Sequence, residues 1–156
     1  RFNFDITPYI KVDQFNLLAI KVNNAHDADI PPLSADFTFF GGIYRDISLE
    51  MVSPIRFSIT EYASSGVYIR TPVVTEEEVE VEIEAKVDNL TLKGGNFKLE
   101  YCFYTPNGST AFKYTDKVKL PADSKEIRVV KKIKIENPEL WSTEAPNLYK
   151  VRIIKF

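Results

Sequence analysis

Residues 78–87 read "EVEVEIEAKV", and their strict alternation decides the class of fold. Val79, Val81, Ile83, Ala85 and Val87 fall on one face of an extended chain, while Glu78, Glu80, Glu82, Glu84 and Lys86 fall on the other. A period of two with one apolar side is the pattern of an antiparallel strand with one face on a core and the other in water. The acidic row admits a cation-binding role. A solvated outer face that also discourages edge-to-edge pairing explains it more simply.

Outward from this stretch the same period recurs. Phe97, Leu99, Tyr101 and Phe103 line one face of a further strand that closes at Thr105-Pro106-Asn107-Gly108, where proline and glycine suit a type I turn. Val118 and Leu120 predict a short strand, and Ile127, Val129, Ile133 and Ile135 a longer one. Lys131 stands where an apolar residue is due, which predicts a bulge near Val130. Tyr149, Val151 and Ile153 form the last strand. No 3.6-residue stripe of useful length appears, so the class is all-β. Residues 67–156 have about the seven strands and the length of an immunoglobulin-like sandwich, without that fold's cysteine pair.

Towards the N-terminus, Phe2, Phe4 and Ile6 alternate, as do Leu18, Ile20 and Val22. An opening that already alternates predicts a chain cut from something longer. Residues 25–34 carry Pro31-Pro32 and read as a long surface loop. It leads into "DFTFFGGIYRDISLEM", residues 36–51, where adjacent glycines mark a backbone needing positive φ or passing too close to another chain for a Cβ. Ile43–Val52 and Ile55–Ile59 predict two more strands. Ala63-Ser64-Ser65-Gly66 reads as a flexible joint, dividing the chain into domains 1–64 and 67–156.

Twenty basic against twenty-two acidic residues give a net charge of −2, with no basic block in either half, which argues against a nucleic-acid partner. No apolar run reaches the length needed to span a bilayer. Cys102, the single cysteine, and His26, the single histidine, can form neither a disulfide nor a Cys/His metal site, and Cys102 reads as a passive thiol. Asn89-Leu90-Thr91 and Asn107-Gly108-Ser109 match the glycosylation acceptor pattern, which recurs by chance.

"FDIT", "NLLAIKVNN" and "DFTFFGGIYRDI" in the first half, with "NPELWSTEAPNLY" near the end, resemble glycoside hydrolase family 2, the family of β-galactosidases, β-glucuronidases and β-mannosidases. The resemblance implies that residues 1–64 are the C-terminal part of a jelly-roll sugar-binding domain and 67–156 an immunoglobulin-like sandwich. It implies that a (β/α)₈ barrel of the same chain carries the two catalytic glutamates, held about 5–5.5 Å apart for a retaining mechanism. This stretch alone is therefore expected to be inactive, to need no cofactor or metal, and to serve a hydrolase of β-galactosidase type acting on β-linked glycosides. Homo-oligomer contacts and a periplasmic or secreted location fit the same family.

By the resemblance, Asp36 projects into the barrel's pocket and binds sugar hydroxyls; a carboxylate can accept from two vicinal hydroxyls and so read their geometry. The plainer alternative is a loop cap. Asn24 is a weaker substrate-binding candidate, whereas Asn23 reads as a turn residue and His26 as a solvated loop histidine. Gly41, Gly42, Tyr44 and Arg45 are assigned to shaping the loop, with Arg45 expected to pair with a carboxylate such as Asp46 or to make an interdomain contact. Phe37, Phe39 and Phe40 either stack on sugar or pack between domains, and packing is the commoner role. Trp141 is assigned to interdomain packing. Two rivals remain: a free-standing carbohydrate-binding or adhesin module of tandem sandwiches, and a structural spacer.

Overall fold

The computed structural model describes residues 2–25, 27–29 and 41–155. The chain is all-β: apart from 3-10 turns at Thr7–Tyr9 and Glu61–Ala63, every regular element among the described residues is a strand. The strands are β1 (Ile55–Phe57), β2 (Val67–Val74), β3 (Glu78–Asn89), β4 (Gly95–Tyr104), β5 (Thr110–Leu120), β6 (Ser124–Glu136) and β7 (Lys150–Lys155). Two compact units are present, one of Asp5–Met51 and the other of Arg1–Phe4 with Val52–Phe156.

The larger unit is a sandwich of two antiparallel sheets. In one sheet β3 is central, with β6 on one side and β1 followed by β2 on the other; the second sheet has the order β5-β4-β7. The alternation read from residues 78–87 builds the core: Ile83, Ala85 and Val87 are fully buried against Leu99 and Tyr101 of β4, with Leu120 and Ile133 beside them. Burying a Leu, Ile or Val side chain is favourable by about 1.5–3 kcal/mol each, so this interdigitated layer dominates the stability of the unit.

Three local expectations are corrected. The ladder between β3 and β6 runs unbroken from Glu78↔Glu136 to Val87↔Ile127, so no bulge forms at Val130. Lys131 keeps its inward phase because its Nζ lies 2.9 Å from Asp116 Oδ1 of β5 and 5.1 Å from the Tyr114 ring centroid, tying the two sheets at their rim. The acidic row cannot protect an edge, since β3 is central. Instead it lies between cations on both flanks: Glu84, 6% exposed, contacts Arg70 at 3.4 Å and Arg128 at 3.0 Å, and Glu78 meets Lys134 at 3.0 Å.

The third correction concerns the joint at 63–66. Ser58 donates to the Lys86 carbonyl and Lys86 donates to the Gly66 carbonyl, so β1 and β2 are one edge strand interrupted by the loop 59–65, whose two ends face the same residue of β3. Ile55–Phe57 therefore belongs to the sandwich, and the compact units divide at Met51/Val52 instead. The loop is latched over the sheet: Glu61 pairs with Lys86 through one carboxylate oxygen and accepts from Tyr68 Oη, 2.8 Å away, through the other. The register shift between Arg70 and Val73 falls at Pro72, whose missing N–H an edge strand or a bulge tolerates.

This latch has a pH signature. The bond from Lys86, then the bond from Tyr68, hold the Glu61 carboxyl below its usual range. A carboxyl depressed in the fold contributes stability above its unfolded pKa and loses it as pH falls through the lower, folded value. Glu61→Gln is expected to lower the unfolding midpoint at pH 7, with the difference from the native chain shrinking steadily below about pH 4.5. Urea melts at several pH values check this, and a pH-independent difference would refute it.

The predicted strands at 2–6, 18–22 and 43–52, which fall wholly or mostly in or beside the smaller unit, make no ladders among the described residues. Apolar side chains in and beside these segments face outward: Phe15, Leu17 and Met51 are nearly fully exposed, and Phe4 is 81% exposed. Alternation specifies which face a strand would bury, but a strand exists only when a partner supplies its hydrogen bonds.

Candidate functional site

Two places carry the candidate residues. In the smaller unit the chain passes Asn24 and is beside it again at Gly41: a Cβ built on Gly41 would lie 2.6 Å from Asn24 Cγ. Gly42 has open space around it but adopts φ +96°, where a side chain is strained. The adjacent glycines thus meet separate demands, Gly41 close approach and Gly42 a left-handed turn. Asp36, Phe37, Phe39, Phe40 and His26 lie outside the described residues.

Beyond the glycines, Tyr44 is 86% exposed, and the guanidinium of Arg45 lies 5.5 Å from its ring centroid. Among the described residues no ion pair joins Arg45 to Asp46, and the Arg45–Tyr44 cation–π contact, at an exposed site, is worth about 0.5–1 kcal/mol. The structure brings Asn24 and Gly41 together, and the adjoining Gly42, Tyr44 and Arg45 follow on exposed backbone.

In the larger unit the loop between β6 and β7 presents Trp141. Pro138 and Pro146 keep this stretch out of either sheet, and it holds its form through its own bonds. Trp141 and Pro146 form an isolated antiparallel bridge, Ser142 donates to the Ala145 carbonyl at 2.9 Å, and Asn147 Nδ2 donates to the Leu140 carbonyl at 3.1 Å. Tyr149 Oη, accepting from the Glu139 N–H at 3.0 Å, anchors the loop to the start of β7. Trp141 is 59% exposed and Leu148 66%, so the indole adds apolar surface to the outside of the sandwich.

The chain matches the family model described as glycosyl hydrolases family 2 over residues 63–154, the sandwich without β1, together with the Trp141 loop. It belongs to that family. A β-glucuronidase of Bacteroides fragilis is 34% identical over 154 residues, covering 97% of this chain and 22% of the relative. A β-galactosidase of Thermoanaerobacter pseudethanolicus is 28% identical over 155 residues, covering 97% of this chain and 19% of the relative. Among solved structures, β-glucuronidase 2 of Bacteroides uniformis, covalently bound to cyclophellitol-6-carboxylate aziridine, superposes with a TM-score of 0.89 at 37% identity over 97% of this chain and 18% of that one. The chain thus spans about a fifth of the length of these family 2 relatives.

Among the described residues no group of three or more His, Cys, Asp or Glu side chains gathers in a way that could hold a metal ion. Cys102 is 7% exposed on the outer side of β4, its Sγ 3.4 Å from Glu100 Oε1. Asn89, the first acceptor-pattern asparagine, is 1% exposed and donates from Nδ2 to the carbonyls of Lys93 and Pro121, so its amide is part of the fold.

Proposed function

We propose that this chain is the non-catalytic β portion of a retaining family 2 β-glycosidase, comprising the end of its jelly-roll sugar-binding domain and its immunoglobulin-like sandwich. The agreement with Bacteroides uniformis β-glucuronidase 2 over nearly the whole chain carries this reading. It favours a β-glucuronide substrate for the whole protein, with a β-galactoside as the second reading, supported by the β-galactosidase relatives. The exposed apolar side chains among the described residues of 2–51 fit the same picture, because the strands of a jelly roll bury such faces against neighbouring strands.

In this reading the catalytic glutamates belong to a barrel elsewhere in the protein. The sandwich supports that barrel, Trp141 and Phe39 pack between domains, and the segment pinched at Asn24 and Gly41 carries Asp36 to the pocket. A carboxylate bonded to two substrate hydroxyls through charge-assisted hydrogen bonds contributes to substrate and transition-state binding.

The test uses the full-length protein with aryl β-glucuronide and β-galactoside substrates. Asp36→Ala is expected to reduce kcat/KM by about 10- to 100-fold on the preferred glycoside, with an unchanged melting temperature. A well-folded variant of undiminished kcat/KM would remove Asp36 from the site. Hydrolysis of neither glycoside by the native protein would sink the proposed activity. The free-standing binding module instead requires this chain by itself to bind a neutral glycan tightly.

A further inference from the structure

The two sheets of the sandwich present outer faces of opposite electrical character. On the sheet built around β3 the carboxylates and cations pair one against another. The outer face of β5-β4-β7 is different. Its inner positions are fixed by the buried residues Phe97, Leu99, Tyr101 and Phe103, so the alternate positions of β4 and the residues in register with them point away from the core. Those outward positions hold Lys98, Lys113, Lys117, Lys119, Lys150 and Arg152. Glu100 is the one carboxylate among them, and it is engaged by Lys113 at 2.7 Å. A chain of net charge −2 therefore concentrates unneutralised positive charge on one side of one sheet.

At one end of this face Tyr104, Gly108, Lys150, Val151 and Arg152 line a shallow open depression of about 450 Å³. Tyr104 stands directly across from Lys150, and Arg152 lies in register with Cys102 and, beyond it, Lys113. The depression thus combines an aromatic side chain, suited to the apolar face of a pyranose ring, with cations suited to a carboxylate or sulfate on the same ring. Lysines continue along β5, with neighbouring strands about 4.8 Å apart, so the charges form rows that an extended polyanion can follow. Ile154 is the only aliphatic side chain among the outward positions of β4 and β7, and it is half-buried, which leaves the face without the apolar centre of a protein–protein interface.

We propose that the outer face of the β5-β4-β7 sheet is an accessory binding surface for an acidic polysaccharide, a chain of uronic acid or sulfated sugar units, anchored at Tyr104, Lys150 and Arg152. The proposal does not depend on the assignment of Asp36 to a substrate pocket. It would hold a polymeric substrate, or the material bearing it, near the enzyme.

Affinity electrophoresis in gels containing polygalacturonate tests this, with dextran, polyglutamate and a single-stranded oligonucleotide as comparison polymers. Polygalacturonate is expected to retard the protein at low ionic strength and dextran to leave it unaffected. Lys150→Gln with Arg152→Gln should weaken polygalacturonate binding by about tenfold, and Lys132→Gln with Lys134→Gln, an equal charge change on the other sheet, should not. Tyr104→Leu should lose several-fold more than Tyr104→Phe, which keeps the ring. Circular dichroism verifies that each variant is folded. Absence of retardation, equal loss from both double variants, or equal losses in the two Tyr104 variants would overturn the proposal. So would equal or tighter binding of polyglutamate or the oligonucleotide, which would identify an acidic polypeptide or a nucleic acid as the partner.

Discussion

Gly66→Ala is expected to make the sandwich about 2–5 kcal/mol easier to unfold. Gly66 adopts φ +70°, and a Cβ there would lie 2.4 Å from the Ser58 carbonyl oxygen. Neither atom can yield, because Ser58 and Gly66 both bond to Lys86 across the ladder and the crowding is between backbones. Relief would require opening the base of the loop 59–65, which would also loosen the latch of Glu61 to Lys86 and Tyr68. Urea unfolding of the variant measures the loss. A change below about 0.5 kcal/mol, the ordinary scatter of surface substitutions, would mean that the loop ends are not pinned as described.

Asn89→Ala is expected to destabilise by about 2–4 kcal/mol. The Asn89 amide donates to the Lys93 carbonyl at 3.0 Å and the Pro121 carbonyl at 2.7 Å, and its oxygen accepts from the Thr91 N–H at 3.1 Å and hydroxyl at 2.7 Å. One buried side chain therefore joins the β3–β4 loop to the β5–β6 turn. Alanine would leave the Thr91 N–H without this acceptor and both carbonyls without this donor. Asn89→Asp separates the two halves of the role: it keeps the acceptor but places a carboxylate against two carbonyl oxygens, so its deficit should be at least as large at pH 7 and shrink on acidification. Denaturant melts at pH 7 and pH 4 decide between these outcomes, and a neutral Asn89→Ala would refute the assigned role.

The sandwich was legible wherever both sides of a strand were decided within the chain. Residues 78–87 and 97–103 alternate because one side meets the core, and their burial follows that pattern. Legibility failed at edges. The inner phase of β5 includes Tyr114 and Asp116 as well as Phe112 and Val118, because part of it faces the open rim where Asp116 meets Lys131. A pattern sought in apolar residues alone therefore recovers only the end of that strand. β2 was hidden by Pro72, which an edge tolerates and a period count does not. The joint assigned to 63–66 followed from small residues that serve a tight return in space.

For the candidate site, the paired glycines announced a constrained backbone, and the separate demands on Gly41 and Gly42 became distinguishable only when neighbouring atoms were placed. The basic face left no trace in local composition. Its cations come from β4, β5 and β7, and only the register sets Cys102 between Lys113 and Arg152.

The Trp141 loop is braced by the Ser142–Ala145 and Asn147–Leu140 bonds within it and by the Glu139–Tyr149 bond at the start of β7. Such a protrusion is preorganised: a neighbouring domain that receives the indole would meet a surface already shaped, and little conformational entropy would be lost on docking. The fit of the receiving cavity, rather than any folding of the loop, would then set how firmly the sandwich is held in the assembled protein.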